Sequence, residues 1–193
     1  MKKTQGKGLA RWGCAALMAS LSCVAFADDA SGFSLGVGGG YTQMRGTGFG
    51  LNVSAGYRFS SYAAVEVGGL AAMASNKAST DNGSTTTEVT GWTAGLTLAS
   101  PAFSQEKVRF FGKLGYSRLT PDVTISSKPN SSNNSTVTGK EGGDGKDAIF
   151  WGLGFEIPLS KSSWGLEYTS YDVGNPGGMG RLEWFGIRSR FYF

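Results

Sequence analysis

The chain has 193 residues, of which 31 are glycine and none is histidine. The lack of an imidazole excludes hydrolases that use a histidine base, cysteine–histidine enzymes and zinc sites built on histidine. The glycine content argues against a mainly helical fold, because glycine costs about 1 kcal/mol relative to alanine inside a helix. A chain of this length is typical of a single domain.

The first 27 residues have the organisation of a secretory signal peptide. Four basic residues come first: Lys2, Lys3, Lys7 and Arg11. An apolar stretch, 14–26, follows and leads into the small-x-small site Ala25-Phe26-Ala27. This stretch is shorter than the roughly 20 residues that cross a bilayer as a helix. We therefore expect cleavage after Ala27, which leaves 28–193 as one domain; a lipoprotein acceptor at Cys23 is the rival interpretation.

The basic character of the chain belongs to this signal peptide. Removing its four basic residues from the total of 18 leaves 14, which equals the 14 acidic residues. The balanced charge predicts no nucleic-acid partner. Both cysteines, Cys14 and Cys23, are also removed, so the mature chain has no disulfide framework and no thiol chemistry.

Eight stretches of the mature chain alternate with a period of two between apolar residues and small or polar ones, which predicts β-strands. In the last of them, Phe185 and Ile187 share one face with Phe191, while Gly186 and Arg188 lie on the other. In chain order the stretches are 33–42, 49–59, 62–74, 89–98, 107–118, 148–158, 164–172 and 182–193.

The connections between these stretches alternate in length. Three are short and fall at 60–61, around Ser100-Pro101 and at 159–163, whereas four are longer and polar: 43–48, 75–88, 120–147 and 173–181. An up-and-down transmembrane barrel has short periplasmic turns at one rim and longer extracellular loops at the other. We therefore predict an all-β, eight-stranded antiparallel transmembrane barrel with both termini in the periplasm. The composition of 120–147 is typical of a disordered segment.

The two faces of the strands differ in a way that favours a membrane barrel over a water-soluble sandwich. The polar face is rich in glycine and poor in lysine and glutamate, as expected of the inside of a narrow barrel. Aromatic residues near strand ends predict two interfacial girdles: Tyr41, Tyr57, Trp92, Tyr116, Trp164 and Tyr168. Large aromatic residues on the inner face favour a closed lumen: Phe111, Phe150, Tyr171, Trp184 and Tyr192.

The signal peptide, the eight alternating stretches and the terminal Phe191-Tyr192-Phe193 resemble the small outer-membrane barrels typified by OmpA, OmpX and the opacity-type surface antigens. This resemblance implies a place in the cell outer membrane of a Gram-negative envelope, in contact with lipid and lipopolysaccharide. It also implies insertion by the barrel-assembly machinery. Phe191 and Phe193 match the C-terminal signal that this machinery recognises. Finally, it implies an interior network of glutamate, arginine and lysine.

Three acidic and five basic residues fall on the face predicted to point inward: Arg58, Glu66, Arg109, Lys113, Glu156, Glu167, Arg188 and Arg190. Isolated charges inside a barrel are costly, so we expect them to pair. We interpret them as a salt-bridged plug. The alternatives are a proton relay and a catalytic dyad of Glu156 and Glu167, but a packed eight-stranded lumen has no room for a sugar substrate.

The sequence predicts no catalytic residue, no cofactor and no metal site. Outer-membrane phospholipases, deacylases, omptin-like proteases and palmitoyltransferases are similar in architecture, but their chemistry depends on histidine. A calcium loop at Glu141, Asp144 and Asp147 does not match the required spacing.

Two functional classes remain after these exclusions. The first is a structural and surface-interaction protein whose loops 75–88 and 120–147 contact host, matrix or neighbouring cell surfaces. The second is a small channel or ligand carrier, and the state of the lumen distinguishes the two. A soluble secreted ligand-binding barrel is a third option, disfavoured because its interior would be apolar.

Overall fold

The computed structural model describes residues 32–44, 46–77, 83–103, 108–127, 137–142, 144–174 and 180–193. The predicted signal peptide, 1–27, lies outside these residues, as does the alternative acceptor Cys23. The strands, in chain order, are β1 (Gly32–Gln43), β2 (Thr47–Ser60), β3 (Ala63–Lys77), β4 (Gly83–Ala99), β5 (Arg109–Ser127), β6 (Val137–Gly142), β7 (Lys146–Pro158), β8 (Ser162–Gly174) and β9 (Gly180–Tyr192). Within the described ranges, no helix is long and apolar enough to cross a membrane.

Antiparallel pairing between neighbouring strands closes the sheet into a barrel. The first and last strands pair from Ser34↔Tyr192 to Gln43↔Glu183, and β4 pairs with β5 along its whole length. Strand β5 is long enough to pair with β7 along its first half and with β6 along its second half. Because β6 and β7 together occupy one position, the barrel has eight strands. The predicted fold is confirmed.

The hairpins at one rim are more regular than the sequence predicts. Segments 75–88 and 120–147 are expected to be loops, but β3 continues to Lys77, and its ladder with β4 ends at Lys77↔Ser84. Likewise β5 runs on to Ser127 and pairs there with β6. Polar composition is a sign of solvent exposure, whereas threonine and valine retain their preference for extended backbone. We call this end the hairpin rim, and the opposite end the short-turn rim.

The outer surface of the barrel is apolar. Large side chains that would be buried in a soluble protein are exposed here, such as Leu114 at 62% and Ile149 at 65%. Of the predicted girdle residues, five are exposed, and Tyr168 is half-buried with its ring 5.5 Å from that of Trp151. A continuous apolar belt of this kind needs a nonpolar surrounding, which a bilayer provides.

The barrel interior is filled by two layers of different chemistry. The layer nearer the hairpin rim is apolar and consists of Leu70, Ala72, Val89, Leu119, Phe150, Tyr171, Val173, Leu182 and Trp184. Its largest member, Trp184, is 1% exposed and donates its indole N–H to the carbonyl of Gly50 over 3.3 Å. The layer nearer the short-turn rim is charged.

Aromatic rings lie across the inward glycines of neighbouring strands. A Cβ atom added to Gly95 or Gly115 would come within 2.8 or 2.6 Å of the Phe150 ring, and one added to Gly186 would come within 2.6 Å of the Trp184 ring. The glycine-rich face therefore does not mean that bulky side chains are missing from the lumen. It marks the positions over which a few large rings extend.

Candidate functional site

Four charged side chains from four strands form a closed ring of ion pairs in the lumen. Lys113 Nζ lies 2.9 Å from Glu167 Oε2 and 3.5 Å from Glu66 Oε2. Arg188 completes the ring with distances of 2.7 Å to Glu66 Oε2 and 3.1 Å to Glu167 Oε2. Each member thus contacts two members of opposite sign, and the ring is neutral as a whole.

The ring is shielded from bulk solvent and supported by a further hydrogen bond. Its four side chains are between 3 and 12% exposed. Thr169 donates its hydroxyl to Glu167 Oε1 over 2.8 Å. Ion pairs this poorly hydrated depend on each other, because removing one partner leaves a buried charge without compensation.

Glycines on adjacent strands make room for the long charged side chains. In an antiparallel sheet, residues directly opposite each other point to the same face. The two residues opposite Glu167 are Gly154 and Gly186, and those opposite Glu66 are Gly56 and Gly95. Because glycine has no side chain, the space on both sides of each carboxylate is open. The basic side chains of other strands can therefore reach each carboxylate across the lumen.

A second group lies closer to the short-turn rim. Arg190 contacts Glu66, and its other terminal nitrogen is 3.7 Å from Glu156 Oε2. Ser163 donates its hydroxyl to Glu156 over 3.1 Å and lies 2.9 Å from the hydroxyl of Tyr192. The guanidinium of Arg58 stacks on the Tyr192 ring, 4.0 Å from its centroid.

The structure places all eight predicted charges on the inner face but pairs only six of them. Arg109 is directly opposite Glu156 in the ladder, yet among the described residues no carboxylate is within salt-bridge distance of Arg109 or Arg58. Sequence reasoning missed the hydroxyl partners, Ser163 and Thr169. Thr169 lies two residues and Ser163 four residues from Glu167. The period-two alternation alone therefore places both hydroxyls on the inner face of β8, beside the carboxylate.

A small polar cavity adjoins the ring. Residues that line the cavity include Asn52, Thr93, Lys113 and Glu167. The volume that the centres of water molecules can occupy is about 40 Å³. This is enough for a few waters, since one water needs roughly 10–15 Å³ of such space. It is far too small for a solute of substrate size.

The C-terminal residues lie at the seam where the barrel closes. Phe191 is opposite Leu35 on one side and Ser162 on the other. The amide of Phe193 donates to the carbonyl of Phe33 over 2.9 Å. The last strand is therefore paired along both edges up to the end of the chain.

Comparisons with known proteins agree with this geometry. Two solved structures of similar shape are those of Neisserial surface protein A (NspA) and of Ail, the attachment invasion locus protein of Yersinia pestis. The TM-scores are 0.57 and 0.55, with 14% identity over 86% of this chain and 100% of each of the others. At that identity they show the fold alone. No curated protein sequence matches the chain significantly.

The sequence pattern of the outer membrane protein beta-barrel domain matches residues 14–182, which is most of the chain. The apolar belt and the eight-stranded closure are the features that such a domain requires. The protein thus belongs to the outer membrane protein beta-barrel family and is a barrel of the outer membrane.

Proposed function

We propose that this protein is a closed, non-catalytic barrel that presents polar extracellular hairpins for contact with host, matrix or neighbouring cell surfaces. The observation that carries the proposal is how far two hairpins, β3–β4 and β5–β6, extend beyond the filled part of the barrel. Their ladders continue beyond Val89 and Leu119, where the apolar interior layer ends, to Lys77↔Ser84 and Ser127↔Val137. A paired sheet is a firmer platform for recognition than a chain without regular structure.

The composition of the hairpins favours a partner bound by hydrogen bonds. Segments 75–88 and 120–147 contain four lysines and six acidic residues among many serines, threonines and asparagines. Ail of Yersinia pestis has been crystallised with the heparin analogue sucrose octasulfate. Such a polyanion needs an excess of positive charge, so we propose uncharged polar surfaces as the ligand class here.

Shortening the tallest hairpin tests this role. Replacing 123–141 by Asn-Gly joins Asp122 to Gly142, which are already partners in the ladder, through a tight two-residue turn. We expect cells that express this variant to lose most of their adhesion to cultured host cells, to matrix-coated surfaces or to each other. The control is the shift in gel mobility between unboiled and boiled protein, which shows that the barrel remains folded. Unchanged adhesion by a folded variant would contradict the proposal.

We further propose that the ion-pair ring and the apolar layer together seal the lumen. The support is the low exposure of Trp184, Leu119 and Leu182, none above 1%. They belong to the same apolar layer as Leu70 and Phe150, which line the cavity beside the ring. The alternative is a small channel or ligand carrier, and the polar cavity beside Lys113 is the observation that favours it. The two functions predict different currents across a planar bilayer.

Conductance of the wild type and of two alanine variants separates these alternatives. A sealed lumen predicts almost no current for the wild type, and measurable leakage together with a lower unfolding temperature for Glu66→Ala and Glu167→Ala. Each substitution removes a carboxylate that holds at least two cations, which opens space and leaves repelling charges. Glu88→Ala, on the outer face of a hairpin, is the control. If neither leakage nor unfolding temperature changes, the network has no sealing role.

The remaining assignments concern export and assembly. We propose that residues 1–27 are a signal peptide cleaved after Ala27, and that Phe191 and Phe193 form the signal read by the barrel-assembly machinery. The exposed aromatic side chains near the strand ends support contacts with membrane lipid and lipopolysaccharide. No cofactor, metal or nucleic acid enters this proposal.

A further inference from the structure

The short-turn rim of the barrel has a surplus of positive charge. The ring of four ion-paired residues is neutral by itself. In the described part of the chain, the other charged groups of the interior are Arg58, Arg109, Arg190 and one acid, Glu156. Within the described residues, two of these positive charges therefore have no carboxylate to balance them. Positive charges that lie this close together repel one another, and an anion bound between them relieves that repulsion.

The three arginines converge on one small group of residues. Arg109 lies opposite Glu156 on the same face, with their Cβ atoms roughly 5 Å apart as in any such pair. Arg190 approaches Glu156 to 3.7 Å. Arg58 stacks on Tyr192, whose hydroxyl reaches Ser163, and Ser163 is in turn hydrogen-bonded to Glu156. All three arginines thus belong to the same end of the lumen.

These arginines also have donors that the described residues do not use. The Nε atoms of Arg109 and Arg190 are buried and make no hydrogen bond within the described ranges, and Arg190 as a whole is only 5% exposed. Arg58 gives the face of its guanidinium to an aromatic ring, which leaves its N–H edge for an acceptor. Arg58 and Arg109 are half-buried, so the group is accessible from the rim.

We propose that Arg58, Arg109 and Arg190 form a binding site for a dianionic phosphate group at the periplasmic mouth of the barrel. Guanidinium groups bind phosphate oxygens through paired, charge-assisted hydrogen bonds. The two surplus charges match a phosphate monoester, which carries about −1.5 to −2 at neutral pH. A carboxylate or a phosphodiester brings only one negative charge. The site lies at the opposite rim from the hairpins and is independent of their proposed role.

Titration with inorganic phosphate tests the site. The full mature chain in detergent is titrated at constant ionic strength, and binding is followed by the phosphorus NMR line width and by the unfolding temperature. We expect Arg109→Gln to weaken phosphate binding about tenfold or more, as the loss of a charge-assisted hydrogen bond predicts. Arg118→Gln is the matched control, since Arg118 is on the same strand but exposed at the other rim, and its affinity should equal that of the wild type.

A second arm identifies the source of the phosphate. Nanodiscs of phosphatidic acid, which has a phosphomonoester headgroup, are compared with phosphatidylcholine nanodiscs in phosphate-free buffer. A stabilising effect of either ligand that is lost in Arg109→Gln supports the site and distinguishes a free phosphate from a lipid headgroup. If Arg109→Gln does not fold, Arg58→Gln provides the same comparison. The proposal is overturned if neither ligand has an arginine-dependent effect.

Discussion

Replacing Trp184 by alanine is expected to lower the free energy of unfolding by about 3–5 kcal/mol, the range for removing a large aromatic side chain from a packed interior. Trp184 is 1% exposed, lies across Gly186 and donates a hydrogen bond to Gly50. Its removal leaves a cavity between strands that cannot collapse, because the ladders fix the width of the barrel. Urea unfolding in lipid vesicles, followed by circular dichroism and by the mobility of unboiled samples, measures the loss.

Trp164→Ala is the matched control for this experiment. Trp164 belongs to the neighbouring strand β8, is 53% exposed on the outer face and has no place in the apolar layer. We expect a clearly smaller loss for this variant, and an intermediate loss for Trp184→Phe, which retains most of the ring volume. Equal losses for Trp184→Ala and Trp164→Ala would show that the interior layer does not stabilise the barrel.

Replacing Glu167 by glutamine is expected to cost about 3–5 kcal/mol, as does the loss of one partner from a buried ion pair. Glutamine has nearly the same volume, so packing is kept and only the charge is removed. The substitution leaves Lys113 and Arg188 competing for Glu66, and it weakens the hydrogen bond from Thr169. Equilibrium unfolding in vesicles gives the value, and Glu88→Gln should remain within about 0.5 kcal/mol of the wild type, as surface changes do.

A double-mutant cycle with Lys113→Met separates electrostatic from packing effects. The double variant retains Glu66 and Arg188, which lie 2.7 Å apart and balance each other. Its loss of stability should therefore be smaller than the sum of the two single losses, by a coupling of about 0.5–3 kcal/mol. Strict additivity would mean that the two side chains act independently in spite of their 2.9 Å contact.

The period-two pattern predicts the faces of the strands, but not which charges meet. Glu66 and Glu167 can be placed on the inner face from sequence alone, because each strand alternates without a break at these positions. Their shared partners depend on the stagger between strands and on irregularities such as the shift between Arg58 and Ser60. Neither is encoded in the alternation of one strand, so Arg58 and Arg109 are indistinguishable from the paired charges until the ladders are known.

The extent of the hairpins is hidden for a different reason. In the raised part of β4, polar residues occupy both faces: Thr87 is buried on the inner side, and its neighbours Thr86 and Glu88 are half-buried on the outer side. The alternation between apolar and polar residues therefore disappears there. A pattern that depends on one apolar face cannot mark a strand whose two faces are both polar. What remains is the preference of β-branched residues for extended backbone, which is too weak to predict a strand by itself.

The seam between β1 and β9 determines the order of events during assembly. The other strand pairs in the barrel join consecutive strands or, for β5 and β7, strands separated only by β6. This pair instead joins Ser34 to Tyr192, near the two ends of the described chain. Hairpins form in microseconds. The first strand cannot pair with the last until the whole chain is present, and contacts between residues far apart in sequence form slowly. Until then the growing sheet has two unsatisfied edges, a state that is prone to aggregate in water and forbidden in lipid. We therefore expect the docking of this final strand, rather than the strength of any one contact, to limit how many chains reach the membrane intact.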